Sequence, residues 1–341
     1  MLPVQYNAPW HPLTHVCVGK SYAPEFYEPV KNQQVKDSLQ KIAHETEQDY
    51  QNLISVLKSF DIIVQRPELS TDLTIMDFVG NNGEIAYANS NSFTLIPRPP
   101  MQPRDSVLIV DNMILATNSE ASWMHHLINT GVVDGSRLIE MPTGKSFDAP
   151  LATVIGKTIV LDCRDHDWLH AFFCETFPNH KIVPVMIGGH NDAVYSVIKP
   201  GVIVSTYHHT NYEDTFPGWT VKYIENQSWN AIPEWRKFKH SNQGRWWVPD
   251  QEQNTEFAKF VNTWLTHWLG FVEETVFDVN MLQINPECVL VNNYNKDLFE
   301  FFKQQHVEPI VVPFRHRFFW DGGLHCITND IHRRGSADNY E

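Results

Sequence analysis

The feature that most constrains the fold is a repeated order of predicted elements: a β-hairpin, then a helix, then a third strand. One such unit has a hairpin over 280–292, a helix over 296–305 and a strand over 308–314. The strands are predicted from Val- and Ile-rich runs, and the helix from apolar residues at three- and four-residue spacing. The segment 153–188 shows the same order. A repeated ββαβ unit predicts an α/β fold built by radial repetition, like the blades of a propeller.

The charge of the chain excludes several classes of partner. Its 26 Lys and Arg residues stand against 40 Asp and Glu residues, for a formal net charge of -14. Because nucleic acids and anionic membranes are bound through basic surfaces, we expect neither as a partner. No apolar run is long enough to span a bilayer, and the first residues lack a secretory pattern, which together predict a cytoplasmic protein. No Pro- or Ser-rich linker divides the sequence, so residues 1–341 are predicted to form a single domain.

Cysteine and histidine spacing argues against metal sites. The five cysteines never form a C-x-x-C pair, which predicts reduced thiols and neither a disulfide framework nor a zinc site. The adjacent pairs at 125–126 and 208–209 are histidines, but adjacent side chains diverge on helices and strands. We therefore expect no bound metal.

Reactive residue types follow the third strand of both predicted units. After the earlier unit the sequence reads GGHND, which gives His190 and Asp192, and after the later unit it reads DGGLHC, which gives Cys326. Glycine pairs let the backbone turn sharply and approach a ligand closely. Simpler interpretations exist, because Asp192 is typical of a turn cap, His190 of a packed side chain and a free cysteine of a small buried hydrophobe. The matched positions favour a histidine, a carboxylate and a thiol that face a common axis.

Two further carboxylates lie just before predicted strands. Asp105 precedes the strand in SVLIV, and Asp148 precedes the hairpin at 153–163. Acidic residues at strand starts are commonly ordinary turn residues. If these two converge on the same pocket, they suit a planar cation with several N–H donors, and a guanidinium has that geometry.

Six segments of the sequence resemble, in order, the amidinotransferases related to L-arginine:glycine amidinotransferase, within the guanidino-modifying pentein superfamily. These segments are WHPLTHVCVG (10–19), PRDSVLIVDNMI (103–114), SFDAPLATVIGKTIV (146–160), GGHNDAVYSVIKPGVIV (188–204), VNMLQINPECVLVN (279–292) and DGGLHCITNDIHRRG (321–335). The combination covers nearly the whole chain and is specific, although no single segment is.

This resemblance implies a pentein fold, an α/β propeller of five ββαβ units with pseudo-fivefold symmetry. It also implies Cys326 as the nucleophile and His190 as the general acid and base. Asp148, grouped with these catalytic residues, and Asp192 would hold the guanidinium of the substrate, with the assistance of Asp105.

The activity implied by the resemblance is transfer of the amidino group of L-arginine to an amine. Glycine is the first expectation for the acceptor, and the products are then ornithine and guanidinoacetate, formed through an S-amidino-cysteine. The family needs no metal or organic cofactor, and a homodimer is what the resemblance suggests. Three alternatives remain open: hydrolysis of arginine at the same residues by a deiminase or dihydrolase, transfer to a different amine, and a guanidino binder without activity.

The chain departs from the family at positions that bear on substrate choice. By spacing, His209 stands where the family has an arginine that contacts the substrate carboxylate. Recognition of that carboxylate is then weaker, pH-dependent through His209, or taken over by another cation such as Arg315 or Arg317. Glu274 and Thr275 replace a serine pair, and Glu274 there would bind the α-ammonium of the donor or face solvent. Asp321 stands where the family has a glycine. These departures leave the amidino chemistry in place and the acceptor open.

Overall fold

The protein folds around five three-stranded sheets within the residues that the structure, a computed structural model, describes: 1–69, 74–75, 96–163, 167–206, 212–225, 233–271 and 276–340. In every sheet the first strand pairs antiparallel with the middle strand, and the middle strand pairs parallel with the outer one. In the order first, middle and outer, the strands are β15 (Thr328–Arg333), β1 (Leu13–Val18) and β2 (Ile63–Gln65); β3 (Val107–Val110), β4 (Met113–Ala116) and β5 (Leu138–Glu140); β6 (Ala152–Ile155), β7 (Thr158–Asp162) and β8 (Lys181–Val185); β9 (Tyr195–Lys199), β10 (Val202–Thr206) and β11 (Thr220–Ile224); β12 (Leu282–Asn285), β13 (Cys288–Val291) and β14 (Glu308–Val311).

A helix joins the middle strand to the outer strand in each sheet, so the ββαβ order predicted from two segments recurs five times. These connecting helices are α1 (Gln33–Ser59), α2 (Ser122–Asn129), α3 (Asp167–Thr176), α4 (Tyr212–Thr215) and α8 (Lys296–Gln304). Four units are continuous along the chain. The fifth is not, because β15 returns from the far end of the sequence to pair with β1. The remaining helices are α5 (Pro233–Ser241), α6 (Thr255–Trp264), α7 (Val276–Val279) and α9 (Arg317–Trp320).

Local sequence explains where the longest helix begins and ends. The side chain of Asn32 accepts hydrogen bonds from the backbone N–H groups of Gln34 and Val35, which satisfies donors that the first turn leaves free. At the other end, Asp61 has a φ of 59°, a left-handed conformation that stops the helix. The face between these ends is buried in the largest hydrophobic cluster of the described residues. None of the described helices has the length and apolar character needed to cross a membrane.

The five first strands face one small internal cavity of about 60 Å³. Each strand contributes at least one residue to its lining: Leu108 from β3, Thr153 from β6, Ser196 from β9, Gln283 from β12 and Asp330 from β15. The segments that lead into these strands therefore approach one another, and the candidate site lies among them.

Candidate active site

Carboxylates stand in the turns that lead into two of the first strands. Asp105 lies in a 3₁₀ turn, Pro103–Ser106, directly before β3. Asp148 is the residue that precedes another 3₁₀ turn, Ala149–Leu151, before β6. Both turns contain proline near their start, which presets the backbone φ and fixes where the turn begins.

Equivalent positions before the other three first strands carry a histidine, an amide and a thiol. His190 precedes a 3₁₀ turn, Asn191–Ala193, which contains Asp192 and leads into β9. Asn280 follows α7 and leads into β12, and Cys326 lies two residues before β15. One position before each of the five first strands is thus occupied by a side chain that can bind or react.

One cavity of about 330 Å³ collects four of these residues: Cys326, His190, Asp105 and Asp148. The rest of its described lining consists of Arg98, Gln102, Asn118, Ser119, Glu120 and Asp321. The structure therefore brings the predicted nucleophile, the predicted acid and base, and two predicted guanidinium ligands to one polar space.

Asn280 fixes the position of Cys326. Its Nδ2 donates to Sγ of Cys326 at 3.0 Å, and its Oδ1 accepts from the backbone N–H groups of Cys326 and His325 at 3.1 and 3.0 Å. A Cβ atom on Gly323 would lie 2.7 Å from Oδ1 of Asn280. Glycine at that position is what allows the amide to reach the cysteine turn.

The thiol of Cys326 is protonated in the absence of a bound cation. Burial, together with the negative charges of Asp192 and Asp105, raises its pKa well above the ordinary value. Sγ lies 3.4 Å from Oδ2 of Asp192 and donates to it. Because a neighbouring positive charge favours the thiolate, a cation bound in the cavity lowers this pKa.

Asp192 contacts Cys326 and forms a hydrogen bond with His325. Nδ1 of His325 is 2.7 Å from Oδ2 of Asp192. Burial alone would raise the pKa of Asp192, but the hydrogen bond from His325 and the nearby positive charges lower it to about 2. Asp192 is consequently a carboxylate at every physiological pH. Its Oδ1 has no hydrogen-bond partner among the described residues.

His190 is positioned between two carboxylates. Its Nε2 is 3.3 Å from Oδ2 of Asp148, and its Nδ1 is 4.0 Å from Oδ1 of Asp105. Burial alone would lower the pKa of His190, but the hydrogen bond with Asp148 and the charges of Asp105, Asp192 and Asp148 raise it to about 10. The imidazolium form, which can give up a proton, is therefore the resting state at neutral pH.

Asp105 differs from the other carboxylates because its nearest described cation, His190, is 4.0 Å away and does not donate a hydrogen bond to it. It is 8% exposed, and its Oδ1 accepts no hydrogen bond within the described part of the chain. Burial raises the pKa of Asp105 to about 7, against the opposing effect of His190. A buried carboxylate of this kind gains most from a ligand that brings its own positive charge.

Sequence reasoning did not identify Asn280 or His325 as site residues. Both lie in segments that it singled out, 279–292 and 321–335. The signal that marks Asn280 is its place immediately before a first strand, which it shares with Asp105. A comparison of all five units would have found it, whereas the contact of His325 with Asp192 depends on the packing of two sheets.

Arg315 lies outside the cavity. Its Nε is 2.8 Å from Oδ1 of Asp49, and its Nη2 donates to the backbone oxygen of Glu45 at 2.8 Å and to Oε1 of Gln48 at 2.9 Å. The guanidinium of Arg315 is thus bound to residues of helix α1. The prediction that Arg315 replaces the family's carboxylate-binding arginine therefore has no geometric support. The arginine in the described lining of the cavity is Arg98.

Three predicted substrate contacts, His209, Glu274 and Thr275, lie outside the described residues.

Known proteins resemble the chain in sequence and in structure. No protein-family model matches it. The mitochondrial glycine amidinotransferase of Xenopus laevis is 22% identical over 151 residues, which is 44% of this chain and 28% of that enzyme. The chain thus matches less than a third of the length of this curated relative.

Solved structures match over nearly the full length. An amidinotransferase from Microseira wollei in the saxitoxin biosynthetic pathway is 16% identical, covers 100% of both chains and has a TM-score of 0.69. The inosamine-phosphate amidinotransferase of Streptomyces griseus is 15% identical, covers 99% of both chains and has a TM-score of 0.67. The N-terminal domain of a cyanobacterial arginine dihydrolase is 11% identical, covers 94% of this chain and 97% of the other, and has a TM-score of 0.57.

The chain therefore has the mixed α/β fold of the pentein amidinotransferases. Hydrolases that act on guanidino compounds share that fold, so the fold alone does not distinguish transfer from hydrolysis.

Proposed function

We propose that the protein transfers the amidino group of a guanidino donor, L-arginine, to a primary amine through a covalent intermediate on Cys326. The observation that carries this proposal is the shared cavity, in which a thiol, an imidazolium and the carboxylates of Asp105 and Asp148 face one another. A guanidinium is the cation that such carboxylates bind best, because its planar N–H groups match the carboxylate geometry. Its central carbon is then held beside the sulfur.

Binding of the donor prepares both reactants. In the proposal, Asp105, Asp148 and Asp192 neutralise the guanidinium and orient its carbon toward Sγ of Cys326, which removes the entropic cost of alignment. The same positive charge lowers the pKa of the thiol, and its proton leaves to solvent as the thiolate forms. The cysteine is thereby activated only when substrate is present.

The first half of the reaction breaks a carbon–nitrogen bond. The thiolate attacks the guanidinium carbon, and His190 donates its proton to the nitrogen of the departing amine. Ornithine leaves as a neutral amine, and the amidino group remains on the sulfur as a cation. His190 is now neutral and can accept a proton.

The second half reverses these events with a new amine. The neutral acceptor attacks the amidino carbon, His190 takes the proton that the acceptor loses, and the carbon–sulfur bond breaks to return the thiolate. Glycine, the predicted acceptor, would give guanidinoacetate. The name of the Xenopus relative supports glycine, and the names of the two structural neighbours support a wider range of acceptors.

The architecture that we propose for this function is one catalytic domain over 1–341, with the five sheets as blades around a common axis. The small cavity lined by all five first strands supports that arrangement. A cytoplasmic location and a homodimer stay predictions from the sequence.

Mass spectrometry of L-arginine incubated with the protein, with and without glycine or another amine, tests the proposal. We expect ornithine and an amidinated acceptor to appear together, along with an adduct of roughly 42 Da on Cys326 as covalent catalysis requires. Cys326→Ala abolishes both, whereas Cys288→Ala retains them, because Cys288 is equally buried at 7% exposure but lies in β13. Consumption of arginine at the same rate without any amine would assign the protein to the hydrolases.

A further inference from the structure

Asp321 is a cavity residue with an unusual backbone. It lines the same cavity as Cys326 and ends helix α9 with a φ of 53° and a ψ of 50°. Non-glycine residues rarely adopt this left-handed conformation, although aspartate tolerates it better than most. By resemblance, the position holds glycine in related amidinotransferases, so this chain carries an acidic side chain where the backbone favours none.

The surroundings of Asp321 hold its carboxylate in place without neutralising it. Nε2 of Gln102 donates to its backbone oxygen at 2.6 Å, which anchors the turn. A Cβ atom on Gly270 would lie 1.5 Å from Oδ2 of Asp321, so glycine at 270 provides the space that the carboxylate occupies. Neither carboxylate oxygen accepts a hydrogen bond from any residue that the structure describes. Its charge is close enough to raise the pKa of the Cys326 thiol.

The charged groups that line the cavity do not balance one another. The described lining holds four carboxylates, on Asp105, Glu120, Asp148 and Asp321, and two cationic groups, on Arg98 and His190, which leaves a charge of −2 when all are ionised. The guanidinium of the donor neutralises one of these charges. A second positive charge on the substrate would neutralise the other.

Part of the Arg98 guanidinium is bound to the protein. Its Nη2 donates to the backbone oxygen of Trp320 at 3.1 Å and to the side-chain oxygen of Gln102. These contacts hold the guanidinium on the wall that carries Asp321. Arg98 thereby offsets part of the negative charge, and its Nη2 group is committed to the protein.

Donor and acceptor use this cavity in turn. In the transfer reaction each presents its reacting nitrogen to the same carbon on Cys326, so the remainder of each molecule extends into the same space. On this basis, which rests on the proposed function, we propose that Asp321 binds a second ammonium group on the acceptor. The preferred acceptors are then short aliphatic diamines.

A diamine satisfies both requirements of the site. One amine is neutral and attacks the amidino carbon, while the other stays protonated and pairs with Asp321. Glycine offers only one amine, which must lose its charge to attack, and a carboxylate that like-charge repulsion from Asp321 and Glu120 disfavours. The predicted glycine acceptor and the diamine proposed here therefore differ in a measurable way.

The test compares putrescine with n-butylamine, which has the same carbon chain and lacks the second amine. Calorimetric titration of the Cys326→Ala protein measures binding without turnover. We expect putrescine to bind about 10-fold or more tightly than n-butylamine, the effect of one hydrogen-bonded charge pair. Asp321→Asn reduces that ratio to about 1. Asp250→Asn leaves it unchanged, because Asp250 is also left-handed, with a φ of 66°, but is exposed away from the cavity.

A second arm measures turnover, with loss of the Cys326 adduct on addition of putrescine, n-butylamine or glycine as the readout. Equal binding of putrescine and n-butylamine, or a preference that survives Asp321→Asn, overturns the role of Asp321 whether or not transfer occurs. Selective binding of putrescine without any adduct or transfer would support the ammonium site at Asp321 and contradict the proposed amidino transfer. Faster discharge by glycine than by putrescine would reject diamines as the acceptor class.

Discussion

Asp105 and Asp330 are both buried carboxylates, with 8% and 2% exposure, but their electrostatic surroundings are opposite. Oδ2 of Asp330 is 2.9 Å from Nε of Arg333, and its Oδ1 is 3.1 Å from Nη2 of Arg104. Burial would raise the pKa of Asp330, but these two cations lower it to about 2. The nearest described cation to Asp105 is His190, 4.0 Å from its Oδ1 without a hydrogen bond, and burial raises the pKa of Asp105 to about 7.

The difference separates a structural carboxylate from one to which the proposed function assigns ligand binding. Asp330 obtains its cations from its own chain, so its ionisation stabilises the folded protein. In the proposed function Asp105 binds a cation that arrives with the substrate, and without that cation its burial costs stability. Pairing, and not burial, is therefore what distinguishes the two roles.

The largest effect is expected when Asp330 is replaced, because it is the carboxylate that pairs with both Arg333 and Arg104. Asp330→Asn leaves Arg333 and Arg104 buried without a counter-charge, and breaking such a pair typically costs about 3–5 kcal/mol. Urea unfolding monitored by tryptophan fluorescence measures this loss. The matched control is Asp61→Asn, an exposed aspartate whose replacement should cost little. A stable Asp330→Asn protein would mean that the two arginines are neutralised elsewhere and that the comparison is wrong.

A smaller effect, on activity, is expected for Asp105→Asn. Hydrogen bonds to charged groups contribute about 1.5–3 kcal/mol, so kcat/KM for arginine should fall about 10- to 100-fold. In the unmodified protein the KM for arginine should decrease as pH rises through about 7, because the pKa of Asp105 is raised to about 7 and only the ionised form attracts the cation. Steady-state kinetics between pH 5.5 and 8.5 should show this step, and Asp105→Asn should lack it.

Asp105→Asn should lower activity but raise the stability of the fold. Since the folded-state pKa of Asp105 exceeds its unfolded value, the ionised side chain destabilises the fold most above pH 7, and this cost shrinks as pH falls toward the unfolded pKa. Asp105→Asn should therefore raise Tm at pH 8 and raise it less at pH 5. A variant that lost both activity and stability at pH 8 would place Asp105 with Asp330.

The smallest effect is expected for Arg315→Ala. The side chain is 39% exposed and pairs with Asp49, which is 10% exposed, so its loss should cost about 1–2 kcal/mol of stability, between a surface pair and a buried one. The KM for arginine should not change, because Arg315 lies outside the cavity. Kinetics beside a thermal melt will check both points, and a large rise in KM would restore Arg315 to substrate binding.

Sequence patterns predicted the repeated unit and most of the site because both have local signatures. Hydrophobic alternation and turn residues mark hairpins, and glycine pairs drew attention to the segments with His190 and Cys326. The side-chain partners have no such signature. Whether Asp105 or Asp330 meets a cation depends on which strands become neighbours, and the place of Arg315 was misjudged because spacing along the chain does not reveal that helix α1 lies beside it.

The orientation of a side chain was equally hard to predict where distant residues determine it. Asp321 could be recognised as a departure from the resembled family. Its approach to Gly270 and its place in the cavity follow only from tertiary packing.

The pairing of β15 with β1 has a consequence for how the protein is made. On the ribosome, β1 and α1 are synthesised long before the strand that completes their sheet, Thr328–Arg333. Contacts so distant in sequence form late and slowly, because a long loop must close first. Cys326 directly precedes that closing strand, so the contacts that position its thiol are completed only after these two distant strands have paired.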